Sequence, residues 1–414
     1  MLTGGSRLRL RMEDYLIFDL DSGKAYVRKD KVDQIGKVDG VIFDCDGVLI
    51  DIRESYNKAI PKTAAYILEG MTGCVIPEDL IPSEIIYLFR RSGGFNNDWD
   101  TVYGILMFTL SSLPIELRGC LRDLMQKFVG ESSPYKRFML IKEAVKRKSR
   151  FRMLNREFFA ETFEKLKDFT SLLDSNGKKS VDENLIKAHA DDDFRRFYLL
   201  LKSFLNPAED VDKSLIARVF EEFFCGARLF KKSYRITPQF NHGPGLIENE
   251  TLIIQPETLD SLISILGKRN LGIASGSRRK SAEYVLGDLI EKFNPKALVF
   301  AEAIDRAERE SPEKGSLRKP HPFSLLKAAE AFEDCGFIMY VGDSAEDFIM
   351  AAEAARLRGE VLFAGVYRYA FVEKEVMRSF LDSGCDMIIP SVNDLPTLLA
   401  DLRGEKKVES GKGF

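Results

Sequence analysis

The chain has 414 residues, 45% of them apolar and 30% charged, with a formal net charge of −3. That length supports two domains with ample core, and the charge balance offers no basic field to attract nucleic acid. No apolar run reaches the length of a membrane span, and the first residues lack the apolar stretch of a signal peptide. Six cysteines, at 45, 74, 120, 225, 335 and 385, form no CxxC pair and read as reduced thiols of a cytoplasmic protein. Three histidines, at 189, 242 and 321, are too far apart to suggest a His-based zinc site.

Residues 1–37 read as an N-terminal extension with a frayed start and one hairpin, Tyr15–Phe18 with Lys24–Arg28. The hairpin is expected, as a structural extension, to add edge strands to the main sheet or to pack on the helical block further along the chain. The core reads as 38–56 joined to 246–403. Strand 40–45 opens it, and its apolar run Val41-Ile42-Phe43 has the character of a buried strand. Two carboxylates one residue apart, Asp44 and Asp46, then precede Gly47. In extended backbone residues i and i+2 point the same way, so both acids can face one site. Gly47 lets the chain turn away sharply. Such a pair suits a divalent cation and a nucleophile or an acid–base pair. A similar run at Asp19-Leu20-Asp21 leads into another short strand, so it reads as a hairpin turn.

From about Ser55 the spacing becomes helical. Segments near 82–91, 98–111, 115–128, 134–148, 154–170, 192–205 and 209–229 continue it, with a polar loop at Asp174–Ser180. This all-helical block spans about 57–245 and ends in a return linker, Thr237–Gly245. Within it, Ser92-Gly93-Gly94-Phe95-Asn96-Asn97-Asp98-Trp99 reads either as a substrate-facing loop, with Asn97 reaching a polar group, or as an ordinary helix N-terminus with Trp99 in the core. Arg53 and Asn57, close after the paired acids, are candidates to line a site mouth.

The α/β rhythm starts at Ile253. Helices 256–268, 277–292, 322–333, 345–357 and 372–383 alternate with strands 271–275, 297–301, 337–342, 361–366 and 386–389. A charged loop is expected at 303–318 and a disordered tail at 404–414. Repeated β–α units demand a parallel sheet with helices on both faces, and ligands bind outside the carboxyl ends of its strands. Asp44, Ser275 and Asp343 all fall at such ends.

The order Asp44-Cys45-Asp46-Gly47-Val48, then Ser275 after Leu271–Ala274, then Lys319-Pro320, then Gly342-Asp343-Ser344 with Asp347, strongly resembles the haloacid dehalogenase (HAD) superfamily. The resemblance covers about residues 38–58 and 252–400. It implies a Rossmann-like α/β core in which the strands carrying Ser275 and Asp343 flank the one carrying Asp44. The helical insertion after the first strand would then be a cap domain, here larger than usual. It further implies Asp44 as nucleophile and Asp46 as acid and base, with Asp46 also binding metal through its main-chain carbonyl. Asp343 becomes a Mg²⁺ ligand, and Asp347 binds a metal-bound water or orients Lys319. Ser275, with the N–H of Gly276, would hold phosphate at a helix start, and Lys319 would supply a point charge. Taken singly, Ser275 is equally an N-cap, Lys319 a surface lysine and Asp343 a turn residue.

The acid at 46 favours phosphoryl chemistry over dehalogenation. The expected function is a Mg²⁺-dependent phosphatase acting on a small phosphorylated metabolite, with no nucleic-acid or membrane partner. A phosphomutase or a non-enzymatic binding protein on the same scaffold are the alternatives. Neither the substrate nor the oligomeric state is written in the sequence.

Overall fold

A computed structural model describes residues 12–404 except 96, 190, 207, 209, 268, 333, 334 and 371. The expected frayed start and most of the expected tail lie outside the described residues. The chain divides into two compact units, one formed by the residues up to Ile52 together with those from Glu250 onward, the other by Arg53–Asn249.

The first unit is built on an eight-stranded sheet in the order β1-β2-β10-β9-β8-β3-β6-β7. Its strands are β1 (Tyr15–Leu20), β2 (Gly23–Arg28), β3 (Val38–Phe43), β6 (Leu271–Ala274), β7 (Leu298–Val299), β8 (Phe337–Gly342), β9 (Val361–Val366) and β10 (Met387–Ile389). Two-residue strands β4 (Ile50–Asp51) and β5 (Thr251–Leu252) pair with each other separately. Six strands are parallel. The hairpin β1–β2 is antiparallel and joins the sheet through β2 against β10, so the N-terminal extension supplies edge strands. The turn at Asp21 is the hairpin bend between them.

Side chains alternate across the sheet, as the two-residue period requires. Val41, Phe43, Met339, Val341, Leu362 and Ala364 enter one core layer, together with Leu259, Leu262, Leu286, Leu395, Leu398 and Leu399 from the helices of that face. Ile42, Ile338, Tyr340 and Phe363 enter the other, with Leu325, Met350, Ala354 and Phe380. The unit is a Rossmann-like α/β structure with a mostly parallel sheet covered on both faces. From β3 the order runs one way to β6 and β7 and the other way through β8, β9 and β10. The reversal falls between β3 and β8, and in open parallel sheets ligands bind outside the carboxyl ends of the strands at such a point.

Several boundaries differ from the sequence reading. The charged segment expected as a loop at 303–318 contains a helix, Ala301–Glu310. Its residues are good helix formers with no Gly or Pro among them, and Ala301 and Ile304 alone are buried, so a single apolar turn anchors an otherwise charged cylinder. The expected helix 277–292 is the helix Arg279–Leu286 followed by a 3₁₀ segment. A helix at Leu395–Leu402, seated in the first core layer, was not foreseen.

Among the described residues of the second unit the regular elements are all helices. Its helices are Tyr56–Thr72, Ser83–Arg91, Asp98–Ser111, Ile115–Lys127, Pro134–Lys146, Arg156–Thr170, Lys178–Ala188, Asp192–Leu205 and Leu215–Tyr234. Asp98–Ser111 lies at the centre, since eleven of its fourteen residues are buried. The expected polar loop at 174–180 gives way to helix at Lys178. The last helix starts later than expected and is interrupted at Gly226. The return linker has a defined seat. Glu222, with no side-chain exposure, pairs with Arg218 at 2.6 Å and accepts backbone N–H groups of Gln239, Phe240 and Asn241. Among the described residues no helix is long and apolar enough to cross a membrane.

Candidate active site

Asp44 follows β3 directly. Its own N–H continues the ladder to the carbonyl of Val341 at 2.9 Å, so the strand fixes the position of its carboxylate. The chain then folds tightly: the carbonyl of Cys45 accepts N–H groups from Val48, Leu49 and Ile50, and Gly47 N–H donates to Ile50. Gly47 has φ +75°, and a Cβ there would lie 2.0 Å from Oδ2 of Asp343. Only glycine satisfies both the backbone angle and that approach.

Asp343 follows β8, the strand beside β3. Four residues on, Asp347 sits in the first turn of the helix Ala345–Arg358, where it forms a capping box with Ser344. Gly342 allows this helix start to close on the strand, since a Cβ at 342 would lie 2.4 Å from the Cβ of Asp347. One oxygen each from Asp44, Asp343 and Asp347 lie within 4.8 Å of one another. An all-oxygen set of this kind suits a hard divalent cation.

The three carboxylates are not equivalent. Oδ2 of Asp347 accepts from the N–H groups of Asp343 and Ser344 and from Ser344 Oγ, at 3.2, 3.1 and 2.7 Å. Its Oδ1 accepts from Lys319 Nζ at 2.7 Å and from Tyr340 Oη at 3.0 Å. Five donors fill a carboxylate's acceptor capacity. Asp347 is therefore held fast against Lys319 and the start of its own helix.

Lys319 Nζ also lies 2.9 Å from Oδ2 of Asp44, while Oδ1 of Asp44 accepts from Cys45 N–H at 2.8 Å. Burial raises the pKa of Asp44, against the lowering pull of Lys319. Burial likewise opposes the charge on Lys319, but Asp347 and Asp44 outweigh it and hold the ammonium well above its usual range. Burial would raise Asp347 too, yet Lys319 and the donors around it bring its pKa down. The group is a buried carboxylate–ammonium–carboxylate cluster, with Lys319 held between the end of β3 and the first turn of the helix after β8.

Ser275 follows β6, the other neighbour of β3. Its Oγ accepts from Ser277 N–H at 3.2 Å and lies 3.0 Å from Ser277 Oγ, which donates to Oδ2 of Asp46 at 2.7 Å. The side chain of Asp46 is thus held on the serine side, and the metal role expected of this residue was through its main-chain carbonyl. Gly276 has open space where a side chain would stand. The structure brings together Asp44, Asp46, Gly47, Ser275, Lys319, Asp343 and Asp347, with Gly276 adjoining. Arg53 and Asn97 belong to the second unit. There Asn97 caps the helix Asp98–Ser111, its side-chain oxygen accepting from Trp99 N–H at 3.1 Å. Trp99 is 9% exposed and donates through its indole N–H to Glu221 at 3.1 Å. Asn97 thus serves as a helix cap, and Trp99 packs in the interior of the second unit.

Two residues of the site were not singled out from sequence. Ser277 orients Asp46, and its position two residues after Ser275 was the available signal. Tyr340 Oη bridges Asp347 and the carbonyl of Ala274, at 3.0 and 3.1 Å, tying β8 to β6 across β3. A tyrosine inside an apolar strand run gives no sign of that.

No family model matches the chain, and no curated protein matches it. Among solved structures it is similar to the X-ray structure of Northeast Structural Genomics Consortium target ZR25. The TM-score is 0.61 at 16% identity, over 89% of this chain and 100% of that one. It is also similar to phosphatase Tt82 from Thermococcus thioreducens, with a TM-score of 0.46 at 20% identity, over 83% of this chain and 99% of that one. The first likeness is one of fold.

Proposed function

We propose that the chain is a Mg²⁺-dependent phosphatase of the HAD superfamily, hydrolysing a small phosphorylated metabolite through an aspartyl-phosphate. The observation that carries this reading is Lys319, bonded at once to Asp44 at the carboxyl end of β3 and to Asp347 in the first turn of the helix that follows the adjacent parallel strand β8. A phosphate monoester is doubly charged and repels an anionic nucleophile, so the site has to supply positive charge beside that nucleophile. Lys319 does so at Asp44. Mg²⁺ would be held by Asp44, Asp343 and the main-chain carbonyl of Asp46, and when bound it would offset equatorial phosphoryl charge.

The chain's own groups balance the reaction. A carboxylate oxygen of Asp44 attacks phosphorus and the bond to the ester oxygen breaks. That oxygen takes the proton of Asp46. Asp46, now ionised, takes a proton from water as the water oxygen attacks phosphorus. The bond to Asp44 breaks, inorganic phosphate leaves and Asp46 is again protonated. Ser275 and the N–H of Gly276 serve as donors to phosphate oxygens, and Ser277 keeps Asp46 in one rotamer through its 2.7 Å bond.

The test is phosphate release from a panel of phosphomonoesters, with Mg²⁺ and with EDTA, by the wild-type chain and Asp44→Asn. Metal-dependent release that disappears in Asp44→Asn is the expected result. Absence of release from every compound sinks the proposal. Conversion of a sugar phosphate to its isomer without release moves the assignment to a phosphomutase.

A further inference from the structure

The helix Ala301–Glu310 grips two loops, and both carry groups of the candidate site. Its first N–H, from Ala301, donates to the carbonyl of Ser277 at 3.1 Å, and Glu302 accepts the N–H of Arg279 at 3.1 Å. Further along, Glu308 accepts from Leu317 N–H at 2.8 Å and from Ser316 Oγ at 3.1 Å. Asp305 lies between these two grips and reaches both loops. Its Oδ2 pairs with Arg278 Nη1 at 3.1 Å and its Oδ1 with Arg318 Nη2 at 2.5 Å. Arg278 is the neighbour of Ser277, and Arg318 is the neighbour of Lys319.

The charges in this cluster balance. Arg278 and Arg318 both face Asp305, and Arg318 also lies 3.9 Å from Glu308. A balanced set makes a poor anion pocket and a good clamp, because each carboxylate oxygen has one guanidinium to hold. Asp305 is 24% exposed at its side chain, so the pairs are partly withdrawn from solvent. The loop that follows Ser275 and the segment that precedes Lys319 are thus tied, through Arg278 and Arg318, to the same carboxylate.

We propose that Asp305 is a positioning residue that fixes the spacing between the serine loop and Lys319, and so sets the affinity of the site for a phosphoryl group. The inference rests on the phosphatase reading above. Asp305→Ala removes both ion pairs that this carboxylate makes. Asp305→Asn keeps one acceptor oxygen, so it retains one pair and loses the other. A misplacement on the order of 1 Å in such a site costs about a hundredfold.

The experiment is calorimetric titration of the wild-type chain, D305A, D305N and the surface control E283Q with inorganic phosphate in the presence of Mg²⁺, alongside thermal melts and turnover. Glu283 forms an exposed side-chain pair with Arg279 inside the helix Arg279–Leu286 and is bonded to neither Asp305 nor its two arginines. The expected result is phosphate affinity weakened roughly ten- to a hundredfold in D305A, an intermediate loss in D305N and no change in E283Q, while the melting temperature of D305N stays at the wild-type value. Loss of turnover in D305N, with its melt unchanged, separates positioning from mere stability. If D305A binds phosphate as the wild type does, the inference is overturned while the phosphatase reading stands. If the wild type itself neither binds nor releases phosphate, both fall together.

Discussion

Replacing Gly47 by alanine puts the geometry of the site to a direct test. A Cβ at this position would lie 2.0 Å from Oδ2 and 2.6 Å from Cγ of Asp343. Real Cβ atoms hardly ever approach within 3.0 Å of another heavy atom, so the Asp343 carboxylate has to retreat by about 1 Å merely to remove the overlap. A retreat of that size at a reacting centre costs about a hundredfold, or about 2.7 kcal/mol of transition-state stabilisation. The backbone adds its own strain, since φ is +75° there. An L-residue in the left-handed region costs about 1–2 kcal/mol. At about 2–4 °C per kcal/mol for a domain of this size, the melting temperature falls by roughly 2–8 °C. Activity is therefore lost well beyond what stability accounts for. Phosphate release measured against Mg²⁺ concentration should show kcat down about a hundredfold and half-saturation shifted to higher Mg²⁺. Gly119→Ala, in a helix with open space around it, should leave both unchanged. If Gly47→Ala keeps kcat within about threefold of wild type, Asp343 does not do what its contact with Gly47 implies.

Other consequences follow from single contacts. Tyr340→Phe removes the hydroxyl shared by Asp347 and Ala274; it should cost about 1 kcal/mol of stability in denaturant unfolding, and an unchanged midpoint counts against the bridge. Ser277→Ala removes the 2.7 Å hydrogen bond to Asp46, and kcat should fall about tenfold with little change in melting temperature; equal kcat removes Ser277 from the site. Glu222→Ala leaves Arg218 buried beside three unpaired N–H groups and should destabilise by about 3–5 kcal/mol, read as a lowered thermal transition. Burial raises the pKa of Asp386 above its usual 3.8, against the opposing pull of the Phe363 N–H and Arg28. A raised carboxyl pKa means the folded chain holds more protons than the unfolded one, so this group's contribution to stability falls as pH rises from 3.8 through the folded value. Asp386→Asn should therefore compare more favourably with wild type at about pH 7 than at about pH 4, and an equal difference at both refutes the assignment.

The parts of this molecule that could be read from the sequence are those where one local pattern fixes one outcome. An apolar run ending in Asp-x-Asp-Gly leaves a strand with both acids at its end, and the spacing of β–α units leaves no choice but a parallel sheet. The apolar period of 3.6 placed most helices of the second unit within a few residues. What stayed hidden depends on partners far away in the chain. Tyr340 reads as a strand residue because nothing near it shows that its hydroxyl meets Asp347 and the carbonyl of Ala274. Asn97 reads as a polar group seeking a ligand until the N–H of Trp99 claims it.

The helix Ala301–Glu310 combines both difficulties. Its charges looked like those of a solvated loop, yet Glu302, Asp305 and Glu308 each hold a separate piece of the two loops that bear Ser275 and Lys319. Residues that do the chemistry must be of particular types, so they leave a signature. Residues that hold them in place need only a complementary charge at the right distance, and many sequences supply that. The legible residues of this site are accordingly the acids, the serine and the lysine, and the clamp that sets their spacing emerges only when the sheet has brought residues 278, 305 and 318 together.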